Sequence, residues 1–310
     1  MPSIRVLRPG MLTTVQDLGR WGLQGSGVPV AGPMDAYSHR LANRLVGNDD
    51  NAAALEITLI GPELETDSEL VCAVAGARFA LFAGDAPVPM HQAFTVRRGE
   101  RLRFGPRTAG ARATLAIRGG FDVDAPFGSC ATSLISQIGP LDGRALSAGD
   151  VLRVRFPLRS SRREVMAVPL PLPRGGARLR AIRGPHEAMF QPAAYDALFG
   201  SRFIVTTNSN RMGYRLEGPA LEHAGAADIL SDATPVGSLQ VPASGQPILL
   251  MADRQTTGGY ARIATVISAD LPIAGQLAPG DWIEFEPCAR SAAIDALKRQ
   301  RARLEGRAGA

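Results

Sequence analysis

Lysine is almost missing from this chain: of the 34 basic residues in 310, Lys298 is the one lysine. That absence excludes a phosphate loop of the G-x-x-x-x-G-K-[ST] type, a Schiff-base lysine in the body of the protein, and a lysine carrying covalent biotin. Any bound anion must be held by arginine or by backbone N–H groups. Cysteine is scarce too. Cys72, Cys130 and Cys288 are far apart, odd in number and without a C-x-x-C pair, which argues against a disulfide framework and a zinc site. The four histidines, His39, His91, His186 and His223, are isolated and read as surface or helix-face residues, so no metal is expected. No stretch approaches the ~18 apolar residues of a membrane span. The first ten residues carry Arg5 and Arg8 instead of an apolar signal core. A cytoplasmic protein without a membrane partner is the expectation.

What is present points to strands. The chain is 45% hydrophobic and 20% charged, with 34 Gly and 23 Pro against eleven Phe, four Tyr and two Trp, a balance that suits many short strands joined by tight turns. Apolar runs at Ile4–Leu7, Leu70–Ala75, Phe94–Arg97, Ala113–Ile117, Val151–Phe156, Phe203–Thr206, Ile248–Met251, Arg262–Ile267 and Trp282–Phe285 are bounded mostly by Gly, Pro or Asp. Helical spacing is clear at Met34, Tyr37, Leu41 and Leu45, with Asp35 at the start and Gly47 as the stop. Ile294, Leu297 and Leu304 make a thin stripe in a charged tail. These features divide the chain into a β body over 1–156, a Pro- and Arg-rich connector over 157–176, a second β body over 177–289 and a basic helical tail over 290–310. An internal echo supports two bodies: Gly149-Asp150-Val151-Leu152 resembles Gly280-Asp281-Trp282-Ile283, and Gly61-Pro62-Glu63-Leu64 resembles Gly218-Pro219-Ala220-Leu221. The net charge of +5 is localised. Arg153–Arg183 carries +8 and the tail from Arg290 carries +4, leaving the bodies mildly acidic. No basic face with interleaved aromatics is visible, so nucleic acid is not an expected partner.

Four segments combine glycine with polar side chains. In Thr13–Arg20, Gln16, Asp17 and Arg20 supply an amide, an acid and a planar cation; they can meet a ligand or satisfy buried backbone groups in a turn. In Arg211–Gly218, a strand would put Arg211, Arg215 and Glu217 on one face, either as an anion clamp or as an exposed Arg–Glu ladder. Gly237–Pro247, with Gln240, reads as a polar loop. Asp253-Arg254-Gln255-Thr256-Thr257-Gly258-Gly259-Tyr260 is polar or glycine up to Tyr260, yet sits between apolar strands. Its Gly258-Gly259 pair would let backbone N–H groups converge on an oxyanion, unless the run is simply a long solvated turn.

Together these segments resemble the allophanate hydrolase subunit 2 family, also called the biotin-dependent carboxyltransferase family. The likeness rests on Thr13–Arg20, Met34-Asp35, Ala42–Asn48, Arg211-Met212-Gly213 and Asp253–Tyr260, which occur in family order. Its members include the C subunit of bacterial 5-oxoprolinase, KipA and half of the carboxyltransferase region of urea carboxylase. The resemblance implies a mainly β fold of two cyclophilin-like β-barrel bodies with few short helices. It also implies a subunit 1 type partner (KipI-like, the B subunit of 5-oxoprolinase), and in 5-oxoprolinase a LamB/YcsF-like A subunit as well. One departure stands out: Gly128-Ser129-Cys130-Ala131-Thr132 replaces the family's Gly-Ser-Arg-Ser-Thr. On this footing the chain is expected to serve an ATP-dependent 5-oxoprolinase, with the ATP site shared with or carried by a partner and no biotin on this chain. The alternatives are a carboxyltransferase half acting on an amide nitrogen and a KipA-like antagonist of a kinase inhibitor. The expected roles are Arg211, Arg215 and Arg254 on the anionic group, Gln16, Gln240 and Gln255 on the amide, and Asp17 or Asp253 on the proton. Arg20, Thr256, Thr257, Gly258, Gly259 and Tyr260 complete the expected site, in a cleft fed by loops of both bodies.

Overall fold

A computed structural model describes residues 1–155 and 168–307; the part of the expected connector over 157–167 lies outside the described residues. The chain divides into two compact units. The first comprises Met1–Arg20, Ala31–Leu172 and Ala302–Ala310, and the second Trp21–Val30 and Pro173–Arg301.

The first unit contains β1 (Ser3–Arg8), β2 (Leu12–Gln16), α1 (Ala36–Leu45), β3 (Ala54–Thr58), β4 (Glu63–Thr66), β5 (Leu70–Ala83), β6 (Ala86–Val88), β7 (Ala93–Val96), β8 (Arg101–Ile117), β9 (Phe121–Asp122), the one-turn α2 (Pro140–Gly143) and β10 (Val151–Val154). Its ten strands form one branched sheet in the order β2-β3-β8-β4-β1-β10-β9, with β5 pairing β6, β7 and β8. The two faces differ in residue size. Leu55, Cys72, Val74, Leu115 and Ile117 point into one core, while their neighbours Ala54, Ala73, Ala75 and Ala116 face Tyr37, Leu41, Ala42 and Val46 on the other. A strand alternates its side chains, so large-small alternation fills one face and leaves the other flat enough for α1 to lie close. Helix α1 starts where expected, with the Asp35 carboxylate accepting from Ser38 N at 2.9 Å. It stops at Gly47, which takes the left-handed φ of 81°.

The second unit contains β11 (Gly176–Arg183), α3 (Pro192–Gly200), β12 (Arg202–Val205), β13 (Gly213–Glu217), β14 (Asp228–Ala233), β15 (Ser238–Gln240), β16 (Ile248–Leu250), β17 (Thr257–Tyr260), β18 (Arg262–Val266), α4 (Leu271–Ala274), β19 (Trp282–Pro287) and the start of α5 (Arg290–Leu304). Seven of these strands close into a barrel in the order β11-β18-β15-β16-β13-β12-β19. Register identifies the lumen. Tyr214, Leu249, Leu239 and Ala264 are directly opposite one another across four strands. Phe203 opposes Ile283, and Phe285 opposes Leu179. All are buried, and the ring of Phe203 sits 5.9 Å from that of Phe285. The residues between them in sequence therefore form the outer wall. On that wall Arg178, Glu284 and Arg202 align across three strands as an exposed ion-pair ladder. Of the basic segment that ends at Arg183, Arg178, Arg180 and Arg183 are paired with Glu284, Asp270 and Glu187. The remaining two strands, β14 and β17, pair only with each other, as a ribbon.

The sequence echo is structural at one of its two pairs. Gly149 and Gly280 take φ of 94° and 92°, each just before a strand. The following aspartates cap their own turns identically: Asp150 Oδ2 accepts from Ser147 N at 2.7 Å, and Asp281 Oδ2 accepts from Ala278 N at 2.9 Å. In the tail, Leu304 is buried but Ile294 is exposed, so the expected apolar stripe is incomplete. No helix among the described residues is long and apolar enough to cross a membrane.

Candidate functional site

In the first unit, Gln16, Asp17 and Arg20 follow β2 and are zipped to the segment Ser129–Thr132. Gln16 Nε2 donates to the Thr132 carbonyl at 3.0 Å, and Thr132 N donates back to the Val15 carbonyl at 3.0 Å. The Asp17 carboxylate accepts from Ser129 Oγ and Cys130 N, each at 2.6 Å, and from Gly19 N at 2.9 Å. Arg20 donates to the carbonyls of Ser129 and Ala131. Of the two readings open at the sequence level, this geometry is the one in which the acid, amide and cation satisfy buried backbone. It also locates the Gly128–Thr132 departure: residue 130 meets Asp17 through its backbone N–H, a contact that does not depend on the side chain. Burial pushes the Cys130 thiol above its ordinary range, and the Asp17 carboxylate adds to the shift. His39, fully buried on α1, is held down to about 4, chiefly by loss of solvation.

In the second unit the expected residues separate into two groups. Arg211 and Asp253 form a buried bidentate pair, Nε to Oδ2 and Nη2 to Oδ1 both at 3.0 Å. Strand β13 begins only at Gly213, so the expectation that Arg211 shares a strand face with Arg215 is corrected: Arg211 turns inward and Arg215 stays on the exposed wall. Asp253, expected to handle a proton, has both oxygens occupied by a guanidinium. Arg254 is also internal. Its Nε donates to the Thr234 carbonyl at 2.7 Å, and burial lowers its pKa to about 10 against the pull of Asp253. These three groups hold the base of the ribbon in place.

Two further corrections concern segments read as loops. Gly237–Pro247 contains β15, and Thr257–Tyr260 is β17. Gly258 and Gly259 therefore stand in a ladder against β14, with Gly258 opposite Asp232, instead of forming an oxyanion nest. Glycine at 258 has a different reason: a Cβ there would come within 2.5 Å of Gln240 Nε2. The ribbon lies against the barrel wall at this point. Its other tie is Arg262, opposite Gln240 on β18, which donates to Asp232 and to the Ala233 carbonyl.

The second group of residues encloses a slot. Arg215, Ile248 and Gln240 are cross-strand neighbours on the outer wall, and with Gln255 and Tyr260 they border a cavity of 190 Å³. Gln255 Nε2 donates to Gln240 Oε1 at 3.1 Å, while Gln240 Nε2, in a side chain that is almost wholly buried, has no partner. Asn208 and Asn210, which the sequence did not single out, complete the border. An adjacent hollow of 270 Å³ shares Gln255 and is lined by Arg254, Thr256 and the exposed Trp21, another residue with no local signal. Thr257 and Gly259 border neither hollow.

A mainly β protein with a closed seven-strand barrel and polar slots on the barrel's outer wall is the class defined by this fold and site. The chain belongs to the carboxyltransferase domain family, subdomains A and B, whose model matches residues 26–287. It is 41% identical to the C subunit of 5-oxoprolinase from Escherichia coli (strain K12) over 305 residues, covering 97% of this chain and 96% of that protein. It is 39% identical to the subunit of the same name from Haemophilus influenzae, covering 88% and 87% of the two chains. Among solved structures, the K. lactis urea amidolyase superposes with a TM-score of 0.92 at 34% identity, covering 98% of this chain but 20% of that one.

Proposed function

We propose that the chain is one subunit of a cytoplasmic, ATP-dependent complex that opens 5-oxoproline to glutamate. The observation carrying this reading is the near end-to-end match: this chain accounts for 96% of the E. coli 5-oxoprolinase C subunit but for only 20% of the urea amidolyase. The proposed partners are a subunit 1 type, KipI-like chain and a LamB/YcsF-like chain. The resonance of the lactam N–C=O unit makes it unreactive, so the complex must stabilise charge moving onto that unit as water is added and the C–N bond breaks. We place the amide contacts at Gln240 and Gln255 in the second unit. Gln16, Asp17 and Arg20 hold the shape of the first unit, and Arg211, Asp253 and Arg254 hold the base of the ribbon.

There is no phosphate loop, and the single lysine, Lys298, is exposed beside Asp295. We assign the nucleotide to a site shared with or carried by a partner chain. The test is to mix the purified chain with its partner subunits and measure 5-oxoproline-dependent phosphate release; release that needs this chain supports the proposal, and none defeats it. The TM-score of 0.92 to urea amidolyase favours a second reading, a carboxyltransferase half acting on an amide nitrogen. Avidin-sensitive bicarbonate fixation without phosphate release from 5-oxoproline would select it.

A further inference from the structure

We infer that the 270 Å³ hollow beside Trp21 in the second unit binds a small organic monocarboxylate with a flat apolar body, its carboxylate taken by Arg254 and its body held against Trp21. This site does not rest on the function proposed above. Gln255 borders both hollows, but its Nε2 is committed to Gln240 Oε1, so other groups define the ligand here.

The wall of this hollow includes a cation without an anion. Arg254 is only 7% exposed, and its guanidinium bonds to carbonyls alone: Nε donates to Thr234 at 2.7 Å and Nη1 to Ala252 at 3.5 Å. The one acid whose field reaches it, Asp253, gives both oxygens to Arg211. Burial outweighs that field, which is why Arg254 is brought down to about 10. Nη2 has no hydrogen bond among the described residues. Unlike Gln240 Nε2 it is not one of the sealed, unpartnered atoms, so its open side is the hollow that Arg254 borders. A buried charge is costly unless it is both paired and hydrogen-bonded, and a bound carboxylate supplies both at this nitrogen.

The rest of the wall decides which anion. No other charged residue borders the hollow. One guanidinium with one open nitrogen suits a single negative charge, whereas a phosphate dianion would bring a second charge with no cation to meet it. Trp21, Val30 and Pro235 supply an apolar wall, and Trp21 is 61% exposed, so a ligand has a large ring to cover. A bare inorganic oxyanion would lose its water against these side chains and gain nothing from them. An apolar body gains by removing them from water, and a flat one can stack offset on an indole. Volume sets the limit. The hollow holds the equivalent of about nine waters at ~30 Å³ each, below the ~300 Å³ usual for a drug-sized ligand, which leaves room for one ring and its carboxylate but not for a nucleotide.

The test is ¹⁹F NMR of 4-fluorobenzoate with the full chain, run beside the neutral isostere 4-fluorobenzamide and with phosphate and 5-oxoproline as competitors. The expected result is that 4-fluorobenzoate broadens and shifts at millimolar concentration, that the amide binds at least tenfold more weakly, and that Arg254→Met raises the 4-fluorobenzoate Kd at least tenfold while leaving that of the amide alone. Arg254→Lys recovers part of the loss. Trp21→Ala weakens both probes severalfold. Because Arg254→Met also removes the bond to Thr234, its urea midpoint is measured alongside; should that variant unfold, Trp21→Ala, at an exposed position, decides the matter. No broadening with the wild-type chain overturns the proposal, as do equal affinities for acid and amide or indifference to both substitutions. Displacement by equimolar phosphate overturns the apolar body and leaves an inorganic-anion site. Displacement by 5-oxoproline makes the hollow part of the substrate site and overturns its independence, with the proposed function left standing.

Discussion

Each unit holds a buried polar side chain, Asp17 in the first and Gln240 in the second, and the two are hydrogen-bonded to different degrees. Around Asp17 in the first unit, three donors converge on one carboxylate at 2.6 to 2.9 Å. Around Gln240 in the second unit, one bond from Gln255 is made and one donor is left over. Both centres are equally shielded, so the difference is not exposure. A saturated anion stiffens the segments it joins, whereas an amide with a spare N–H lowers its free energy only when something else arrives. Incomplete bonding alone does not mark a site, since Gln16 Oε1 and Thr132 Oγ1 beside Asp17 are without a partner too; what sets Gln240 apart is that its residue borders a hollow.

The comparison predicts where substitutions will hurt folding and where they will hurt binding. The largest expected effect is at Asp253, which belongs to the finished kind although it lies in the second unit. Asp253→Ala removes the carboxylate from the buried bidentate pair with Arg211, a loss of about 3–5 kcal/mol by analogy with broken buried ion pairs. Urea denaturation should show it as a lowered midpoint with the slope nearly unchanged. A variant of wild-type stability would mean that Asp253 is held ready for chemistry after all.

Next comes the pH dependence of the first unit. His39 sits at about 4, below its ordinary 6.5, because burial disfavours the imidazolium. The unfolded chain therefore takes up a proton below pH 6.5 that the folded chain refuses until about 4. Stability is full above 6.5 and falls as pH drops through that window, by about 3 kcal/mol at ~1.4 kcal/mol per unit. Denaturation at pH 7 and pH 4.5 checks this, with His39→Gln losing much less between the two. His91 and His186 are shifted in the same direction and supply a background common to both proteins. Parallel losses in the two proteins would remove His39 from the explanation. Smaller still is Asp17→Asn, which keeps one acceptor but turns an NH₂ toward an N–H or O–H donor. A loss of about 2 kcal/mol in the same assay is expected, with lactam binding at the second unit unchanged.

The sequence made much of the fold legible and less of the site. Strand runs with large residues, such as Phe203 and Trp282, announce themselves, and Asp35 and Gly47 mark both ends of α1 because capping is local. The ribbon strand β17 did not, since Thr257-Gly258-Gly259 has neither alternation nor β-branched bulk; the segment pairs with β14 and lies where the Gln240 amide needs room. Arg211 was misassigned because a period of two says nothing about where a strand begins. Asn208 and Trp21 carry no local signal at all, and their places at the two hollows come from tertiary folding. Within the family motif Asp253–Tyr260 the charged members are internal, whereas Gln255 borders both hollows.

Gly258→Ala is the finest test of the contrast between the two centres. The residue has no left-handed φ, so an alanine is not strained by its backbone; what it meets is Gln240 Nε2 at 2.5 Å, the far end of a flexible side chain, and then Thr234 Cγ2 at 3.1 Å and Gln255 Nε2 at 3.2 Å, which must give by a few tenths of an ångström. The carboxamide can swing away, and a change in stability of at most about 1 kcal/mol is expected, because no satisfied bond other than the one from Gln255 is disturbed. The donor geometry in the slot, however, changes. Lactam affinity should fall severalfold by titration while the denaturation midpoint scarcely moves. If instead the midpoint drops by several kcal/mol, the Gln240 amide is a rigid part of the core with no freedom to serve a ligand, and the two centres are alike.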